Sequence, residues 1–222
     1  MHALIICDGE RPGVELLRQT AVGAELIIAT DGAAAWAATA GVEPQVVVGD
    51  FDSLVSLDDG WEIVHAGPHD QQENSDAEKA ILLALARGAT HMTVVGATGR
   101  RLDHTLANVW LAARYHEHAD IILLDNYSEC RVVSDHLRLA VVPGTVVSLM
   151  SLTPDVTVRT AGLRWPLDGP LPPGTRSLSN QAVADEVVVE VMSGLVAVVV
   201  VRATALVPQG ADPTSGAPGC PA

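Results

Sequence analysis

The strongest constraint on the fold is the regular alternation, over the first 125 residues, of short apolar runs with helical patterns. Runs rich in β-branched residues predict strands at 4–7, 26–29, 46–48, 63–64, 92–95 and 121–124. Helical spacing of apolar residues, clearest over 76–87, predicts helices at 14–20, 33–40, 76–87 and 104–115. Strands that alternate with helices and are apolar on both faces favour a parallel, doubly wound α/β sheet.

The pattern of the chain changes after Asn126, where helical periodicity ends and short apolar runs alternate with turns. Predicted strands lie at 131–133, 138–142, 146–152 and 156–158, and the valine-rich run 187–201 reads as a hairpin because Ser193-Gly194 interrupts it. We therefore expect an α/β domain over residues 1–128 and an all-β sandwich over 129–207. Residues 208–222 are rich in Pro, Gly, Ala and Ser and predict a disordered tail.

Composition narrows the class of protein. Of 222 residues 48% are hydrophobic, which is enough for a core and excludes a disordered chain. The 13 Lys and Arg residues against 27 Asp and Glu residues give a net charge of −14, which disfavours nucleic-acid and membrane partners. Cys7, Cys130 and Cys220 match neither a disulfide framework nor zinc spacing, and we find no signal or membrane-spanning segment. These features predict a soluble, cytoplasmic protein.

Acidic residues follow the predicted strands. Asp8, Asp31, Asp50 and Asp125 lie one or two residues after four of them, and Gly96 follows a fifth. Ligands of α/β sheets bind outside the carboxyl ends of the strands. Four carboxylates at one sheet edge therefore favour a cation site.

Two segments reinforce this expectation. Asp50 and Asp52 follow a buried strand at positions i and i+2, which in extended backbone places them about 6–7 Å apart on one side, close enough to hold Mg²⁺; a simple polar turn is the alternative. In the segment 72–79, Ser75 and Glu78 form a capping box that starts the next helix. Gln72, Glu73 and Asp76 remain as candidate metal or phosphate contacts.

The segment 96–104 predicts a phosphate-binding loop. It follows a strand, contains Gly96 and Gly99, and opens a helix whose N-terminus favours anions. Arg100 and Arg101 reverse the charge locally. Walker A spacing is absent, which excludes a P-loop protein. Asp103 is either the N-cap of the helix or part of the site, and His104 is either a surface residue or a base.

In the β half, Trp165 lies in the loop segment 162–167, and Ser179-Asn180 follows it. Taken alone, Trp165 favours a core position over a flat platform for a planar ring. Trp36, Trp61 and Trp110 read as packing residues.

Together these motifs resemble the thiamin pyrophosphokinase family. The ordered set that carries the resemblance is Asp31-Gly32, Gly49-Asp50-Phe51-Asp52-Ser53, Gln72-Glu73-Asn74-Ser75-Asp76-x-Glu78-Lys79-Ala80, Gly96-x-x-Gly99-x-Arg101-x-Asp103-His104-x-x-Ala107-Asn108, Gly162-Leu163-Arg164-Trp165-Pro166-Leu167 and Ser179-Asn180. The match extends over roughly residues 25 to 200. Each motif alone is weak, but the ordered set is specific.

The resemblance implies transfer of pyrophosphate from ATP to the thiamine hydroxyl, giving thiamine diphosphate and AMP, by a homodimer with active sites across its interface. It implies that Asp50, Asp52 and Asp76 bind Mg²⁺ and, with Arg101 and Asp103, carry catalysis. The implied ATP-binding residues are Asp31, Gln72, Glu73, Ser75, Gly99, Arg101 and His104. Trp165, Ser179 and Asn180 would bind thiamine. Either Asp76 or Asp103 would accept the hydroxyl proton.

This chain departs from the family pattern at two positions, with Glu73 in place of the usual Asp and Arg100 in place of a second Gly. Either change can alter nucleotide affinity. Two other functions remain open at this level. One is a Mg²⁺-dependent pyrophosphokinase or phosphohydrolase with another substrate, and the other is a non-catalytic thiamine or nucleotide sensor.

Overall fold

The computed structural model describes residues 1–50, 60–65 and 74–202. The first half of these residues contains six strands and four helices. The strands are β1 His2–Ile6, β2 Leu26–Thr30, β3 Val46–Gly49, β4 Glu62–His65, β5 His91–Val95 and β6 Asp120–Leu124. The helices are α1 Val14–Ala21, α2 Asp31–Thr39, α3 Asp76–Ala86 and α4 Leu102–Tyr115. Each predicted element of this half that the structure describes is present, with its ends shifted by a few residues.

The six strands form a parallel sheet in the order β6-β5-β1-β2-β3-β4. Alternate residues of β1 enter two different cores. Ala3 and Ile5 pack with residues of α3 and α4, whereas Leu4 and Ile6 pack with residues of α1 and α2. Helices therefore cover both faces of the sheet. The strand order reverses between β1 and β5, and a crevice at such a reversal is the usual ligand site of an open α/β sheet.

The second half is built from strands, namely β7 Ser128–Val133, β8 His136–Ala140, β9 Val146–Ser151, β10 Thr157–Ala161, β11 Asp168–Pro170, β12 Ser177–Gln181, β13 Glu186–Ser193 and β14 Val196–Val201. Strand β7 pairs antiparallel with β6, so the parallel sheet continues as β7-β14-β9-β12 and has ten strands. A separate antiparallel sheet has the order β11-β10-β13-β8. Apolar residues of both sheets form one core between them. One layer of the β half is therefore an extension of the α/β sheet.

The expected hairpin over 187–201 is wrong. Strand β13 pairs with β8 and β10 in the four-stranded sheet, whereas β14 pairs with β7 and β9 in the ten-stranded sheet. Gly194, with φ of +78°, lies in the turn that carries the chain from one layer to the other. The valines of the two strands therefore face each other across the core. Two paired strands would give the same sequence pattern.

The packing prediction fails for one tryptophan and holds for two. Trp36 and Trp61 are half-buried against the core shared with α1 and α2. Trp110 of α4 is exposed, because it lies on the helix face that points away from the sheet. None of the helices described has the length and apolar character that crossing a bilayer requires. The expected tail, 208–222, and Cys220 lie outside the described residues.

Candidate active site

The carboxyl edge of the parallel sheet opens into a cavity of about 490 Å³. All of its lining residues that the structure describes belong to the segment 7–108. The expected site residues among them are Asp31, Asp50, Ser75, Asp76, Gly99, Arg101 and His104. Asp52, Gln72 and Glu73 lie outside the described residues. The expected site residues that the structure describes therefore come from four separate segments of the chain and lie around one cavity.

The carboxylates follow the strand order. Asp8, Asp31 and Asp50 leave the neighbouring strands β1, β2 and β3, and all three line the cavity. Asp31 is buried, and its Oδ1 accepts a hydrogen bond of 2.6 Å from the Gly32 amide. Glycine is required beside it, because a β-carbon at Gly49 would lie 2.5 Å from Asp31 Cγ.

Helix α3 brings a fourth carboxylate. Ser75 caps the helix, with its Oγ accepting a 3.3 Å hydrogen bond from the Glu78 amide, which confirms the predicted cap. This cap fixes Asp76 in the first turn at the cavity wall. Lys79 Nζ lies 2.9 Å from Asp76 Oδ1 and is only 12% exposed. An ammonium group is thus placed inside an otherwise acidic part of the site.

Glu78 connects the two helices that flank the cavity. It is buried, and its Oε1 accepts a 2.7 Å hydrogen bond from the hydroxyl of Tyr115 on α4. Arg114 lies 3.2 Å from the same oxygen. These contacts tie α3, which carries Asp76, to α4.

The glycine-rich loop lies between β5 and α4. Gly96 and Gly99 have φ of +65° and +76°, and a β-carbon at Gly96 would lie 2.1 Å from the Cys7 carbonyl oxygen. Asn108 of α4 is buried and donates a 2.7 Å hydrogen bond to the Ala97 carbonyl. The loop is therefore anchored on both sides, against β1 and against α4.

Asp103 does not cap α4. The helix begins at Leu102, with Arg101 as its N-cap residue, so Asp103 lies within the first turn. Its two carboxylate oxygens accept hydrogen bonds of 3.1 and 2.6 Å from Arg101, and its Oδ1 also accepts one from the His104 amide. The Arg101 guanidinium holds the pKa of Asp103 at about 2. Asp103 is exposed and is not among the lining residues of the cavity.

The expected ring-binding residues of the β half lie close together, with Trp165 and Ser179 exposed and Asn180 buried. Trp165 is 56% exposed, which rules out the core position. Asn180 is buried and holds the Trp165 backbone by two hydrogen bonds, accepting one from the Trp165 amide and donating one to its carbonyl. Ser179 has a φ of +55°, and its amide donates to Ser148 Oγ. The Arg164 guanidinium lies 5.2 Å from the centroid of the Trp165 ring.

Sequence reasoning gave no functional role to Lys79 or Asn108, which also line the cavity, and it did not predict that Asp8 and Arg100 contact each other. A signal existed for Lys79, because an Asp and a Lys three positions apart on a helix are neighbours. No comparable signal existed for the contact between Asp8 and Arg100, which depends on the pairing of β1 with β5.

Cys7 also lines the cavity but is not a nucleophile. Burial, followed by the charges of Asp76 and Asp8, raises the pKa of its thiol to about 12. Cys130 is likewise a free cysteine, and burial raises its pKa to about 11. The reactive form of a cysteine is the thiolate, which neither residue populates near neutrality.

Two family models match the chain in succession. The catalytic domain of thiamin pyrophosphokinase matches residues 17–123, and the vitamin B1 binding domain of the same enzyme matches residues 136–196. The chain belongs to the thiamin pyrophosphokinase family. A comparison with curated proteins gave no match.

Solved structures of thiamin pyrophosphokinases share the fold. The Bacillus subtilis enzyme is 18% identical with a TM-score of 0.79, covering 91% of this chain and 100% of its own. The Geobacillus thermodenitrificans enzyme is 21% identical with a TM-score of 0.80, covering 93% and 100%. The yeast enzyme is 14% identical with a TM-score of 0.74, covering 92% and 87%.

As a thiamin pyrophosphokinase, the protein is an enzyme that transfers pyrophosphate from ATP to thiamine. Both family domains are present in order, so the chain carries the catalytic and the vitamin-binding part.

Proposed function

We propose that pyrophosphate transfer takes place in the cavity at the carboxyl edge of the parallel sheet. The observation that supports this site is that its lining carries both carboxylates and basic side chains. We call Asp31, Asp50 and Asp76 the acidic wall, and Arg100, Arg101 and His104 the basic wall. A nucleotide with a bound cation needs both, because its metal-bound oxygens require carboxylate neighbours and its free phosphate oxygens require cations.

The acidic wall fits Mg²⁺ by its chemistry, because Asp31, Asp50 and Asp76 offer carboxylate oxygens. Within residues 1–50, 60–65 and 74–202, no three His, Cys, Asp or Glu side chains are arranged to hold an ion by themselves. This agrees with Mg²⁺, which commonly uses one or two carboxylates and completes its shell with substrate phosphates and water. We assign Asp50 and Asp76 as protein ligands, with Asp52 as a third. When bound, Mg²⁺ would neutralise charge that develops on the transferred group.

The basic wall would orient the phosphates for in-line attack. Asp103 holds the Arg101 guanidinium by two hydrogen bonds, so Arg101 is oriented before the nucleotide arrives. The low pKa of Asp103, about 2, makes it a weak base. We therefore propose that Asp103 positions Arg101 and does not accept the hydroxyl proton of thiamine.

We propose that the β half of a second subunit holds thiamine at this cavity. Within the described part of the chain, no lining residue of the cavity comes from the β half, yet the expected thiamine-binding residues Trp165, Ser179 and Asn180 lie there. Helix α4 starts at the cavity and carries an exposed apolar stripe formed by Leu102, Leu106 and Trp110 at helical spacing. A homodimer that covers this stripe can bring the partner's β half to the cavity mouth.

The free cysteines Cys7 and Cys130 support a cytoplasmic location.

The test is to measure, by mass spectrometry, the formation of AMP and thiamine diphosphate from ATP and thiamine in the presence of Mg²⁺. We expect both products at equal rates from the wild-type enzyme, and a loss of at least about a hundredfold in turnover for Asp50→Asn and Asp76→Asn. The matched control is Asp185→Asn, which removes an exposed carboxylate of the β half. Release of AMP without thiamine diphosphate would contradict the proposed acceptor. Full turnover in both cavity variants would contradict the site.

A further inference from the structure

Arg100 and Asp8 form a contact at the point where the strand order reverses. Asp8 follows β1, and Arg100 belongs to the loop after β5. Arg100 Nη1 donates to the Asp8 backbone carbonyl at 2.8 Å and to Asp8 Oδ2 at 2.7 Å. Both residues line the cavity. The contact therefore stands in the crevice where an open α/β sheet binds its ligand.

The loop is held in this position by its backbone. The amides of Gly9 and Glu10 donate 2.7 Å hydrogen bonds to the carbonyls of Gly96 and Thr98. A β-carbon at Gly99 would lie 2.6 Å from Glu10 Cβ. Since the two segments are in close contact, Asp8 can orient the Arg100 side chain without any further movement.

The backbone of Arg100 is unfavourable for arginine. Its φ is +52°, in the left-handed region that glycine adopts readily and side-chain-bearing residues rarely do. A residue kept there at a steric cost is a marker of functional constraint. The cost puts a guanidinium at the cavity wall, where glycine would put none.

The two arginines of the basic wall differ in which guanidinium N–H groups remain for a ligand. Arg101 uses Nε and Nη2 in its paired contact with Asp103. Arg100 makes both contacts to Asp8 through Nη1, and its Nε and Nη2 have no hydrogen-bond partner within the described ranges. The side chain is also 49% exposed. Its remaining N–H groups can therefore pair with an anion in the fork geometry typical of arginine and phosphate.

We infer that Arg100, oriented by Asp8, binds a phosphate group of the nucleotide. The inference rests on the proposed nucleotide site and adds a residue to it that the family pattern does not supply. It also explains how the cavity tolerates Asp8, a carboxylate at the basic wall, because the same guanidinium faces Asp8 on one side and the phosphate on the other.

The test is the affinity for ATP with Mg²⁺ in the absence of thiamine, by calorimetry, for the wild type and Arg100→Gly. Glycine accepts the backbone conformation, so the melting temperature should be unchanged or higher. We expect the dissociation constant for ATP to rise roughly tenfold or more, and Arg100→Lys to recover part of the loss. The matched control is Arg138→Gln, which removes an exposed, ion-paired arginine of the β half and should leave ATP binding unchanged.

Binding of AMP and of inorganic pyrophosphate to the same variants identifies which phosphate group Arg100 contacts. Weaker binding of AMP would place Arg100 on the α-phosphate, and weaker binding of inorganic pyrophosphate would place it on the transferred group. The double variant Asp8→Asn/Arg100→Gly should bind as weakly as Arg100→Gly. Restored binding would overturn the inference, because Arg100 would then only neutralise Asp8. Equal ATP affinity of the wild type and Arg100→Gly would also overturn it. A wild type that does not bind ATP would overturn the nucleotide site itself.

Discussion

Gly49→Ala tests whether the position of Asp31 matters to the reaction. A β-carbon at Gly49 would lie 2.5 Å from Asp31 Cγ, whereas ordinary contacts of this kind begin at 3.4 Å. Asp31 would therefore have to move by about 0.9 Å, because the β-carbon is fixed to strand β3. A misplacement of about 1 Å in a catalytic site can cost roughly a hundredfold in rate. The strain should also lower the free energy of unfolding by about 1–3 kcal/mol.

The assay compares the turnover number and the denaturant midpoint of Gly49→Ala with those of the wild type. Gly60→Ala is the matched control, since a β-carbon there meets no atom of residues 1–50, 60–65 or 74–202 within 4 Å. We expect turnover to fall by about a hundredfold in Gly49→Ala and to stay unchanged in Gly60→Ala. Full activity in a folded Gly49→Ala enzyme would refute the assignment of Asp31 to the site.

Three further predictions address the helices, the basic wall and the vitamin site. Tyr115→Phe removes the hydrogen bond to the buried Glu78 carboxylate, and urea denaturation should show a free energy of unfolding lower by about 1.5–3 kcal/mol. An unchanged free energy would show that this contact between α3 and α4 does not stabilise the fold. The pKa of the Asp103 carboxyl is about 2, against an ordinary value of 3.8, and in Arg101→Gln it should rise towards 3.8 in an NMR titration. Because the folded pKa is the lower one, the stabilisation from the pair is present above pH 3.8 and is lost as the pH falls through 2. A wild-type carboxyl that titrates near 3.8 would contradict the pairing. Trp165→Ala should raise the Michaelis constant for thiamine roughly tenfold with little change in stability, since the ring is exposed; lost stability with an unchanged constant would restore the core position.

Local sequence patterns predicted the α/β half well, because its strands and helices are defined by local apolar spacing. Of the four carboxylates expected at the sheet edge, Asp8, Asp31 and Asp50 line the cavity together with Asp76, since parallel strands end at a common edge, whereas Asp125 is not among the lining residues.

Local spacing does not determine which distant strands pair or which helix face points outward, and each of these produced one error. Strands β13 and β14 look like a hairpin but belong to different layers. Trp110 fits a helix pattern, yet its face points away from the sheet. The sequence left open whether Asp103 is the N-cap of α4, and the structure excludes this because the helix starts one residue before it.

The most direct measurement is a crystal structure with Mn²⁺, as a stand-in for Mg²⁺, and a non-hydrolysable ATP analogue. We predict an anomalous peak about 2.0–2.3 Å from carboxylate oxygens of Asp50 and Asp76, bridged to phosphate oxygens, and its loss in Asp50→Asn crystals. Nucleotide and metal bound elsewhere, with these carboxylates facing only water, would show that the acidic sheet edge is not where this enzyme handles phosphate.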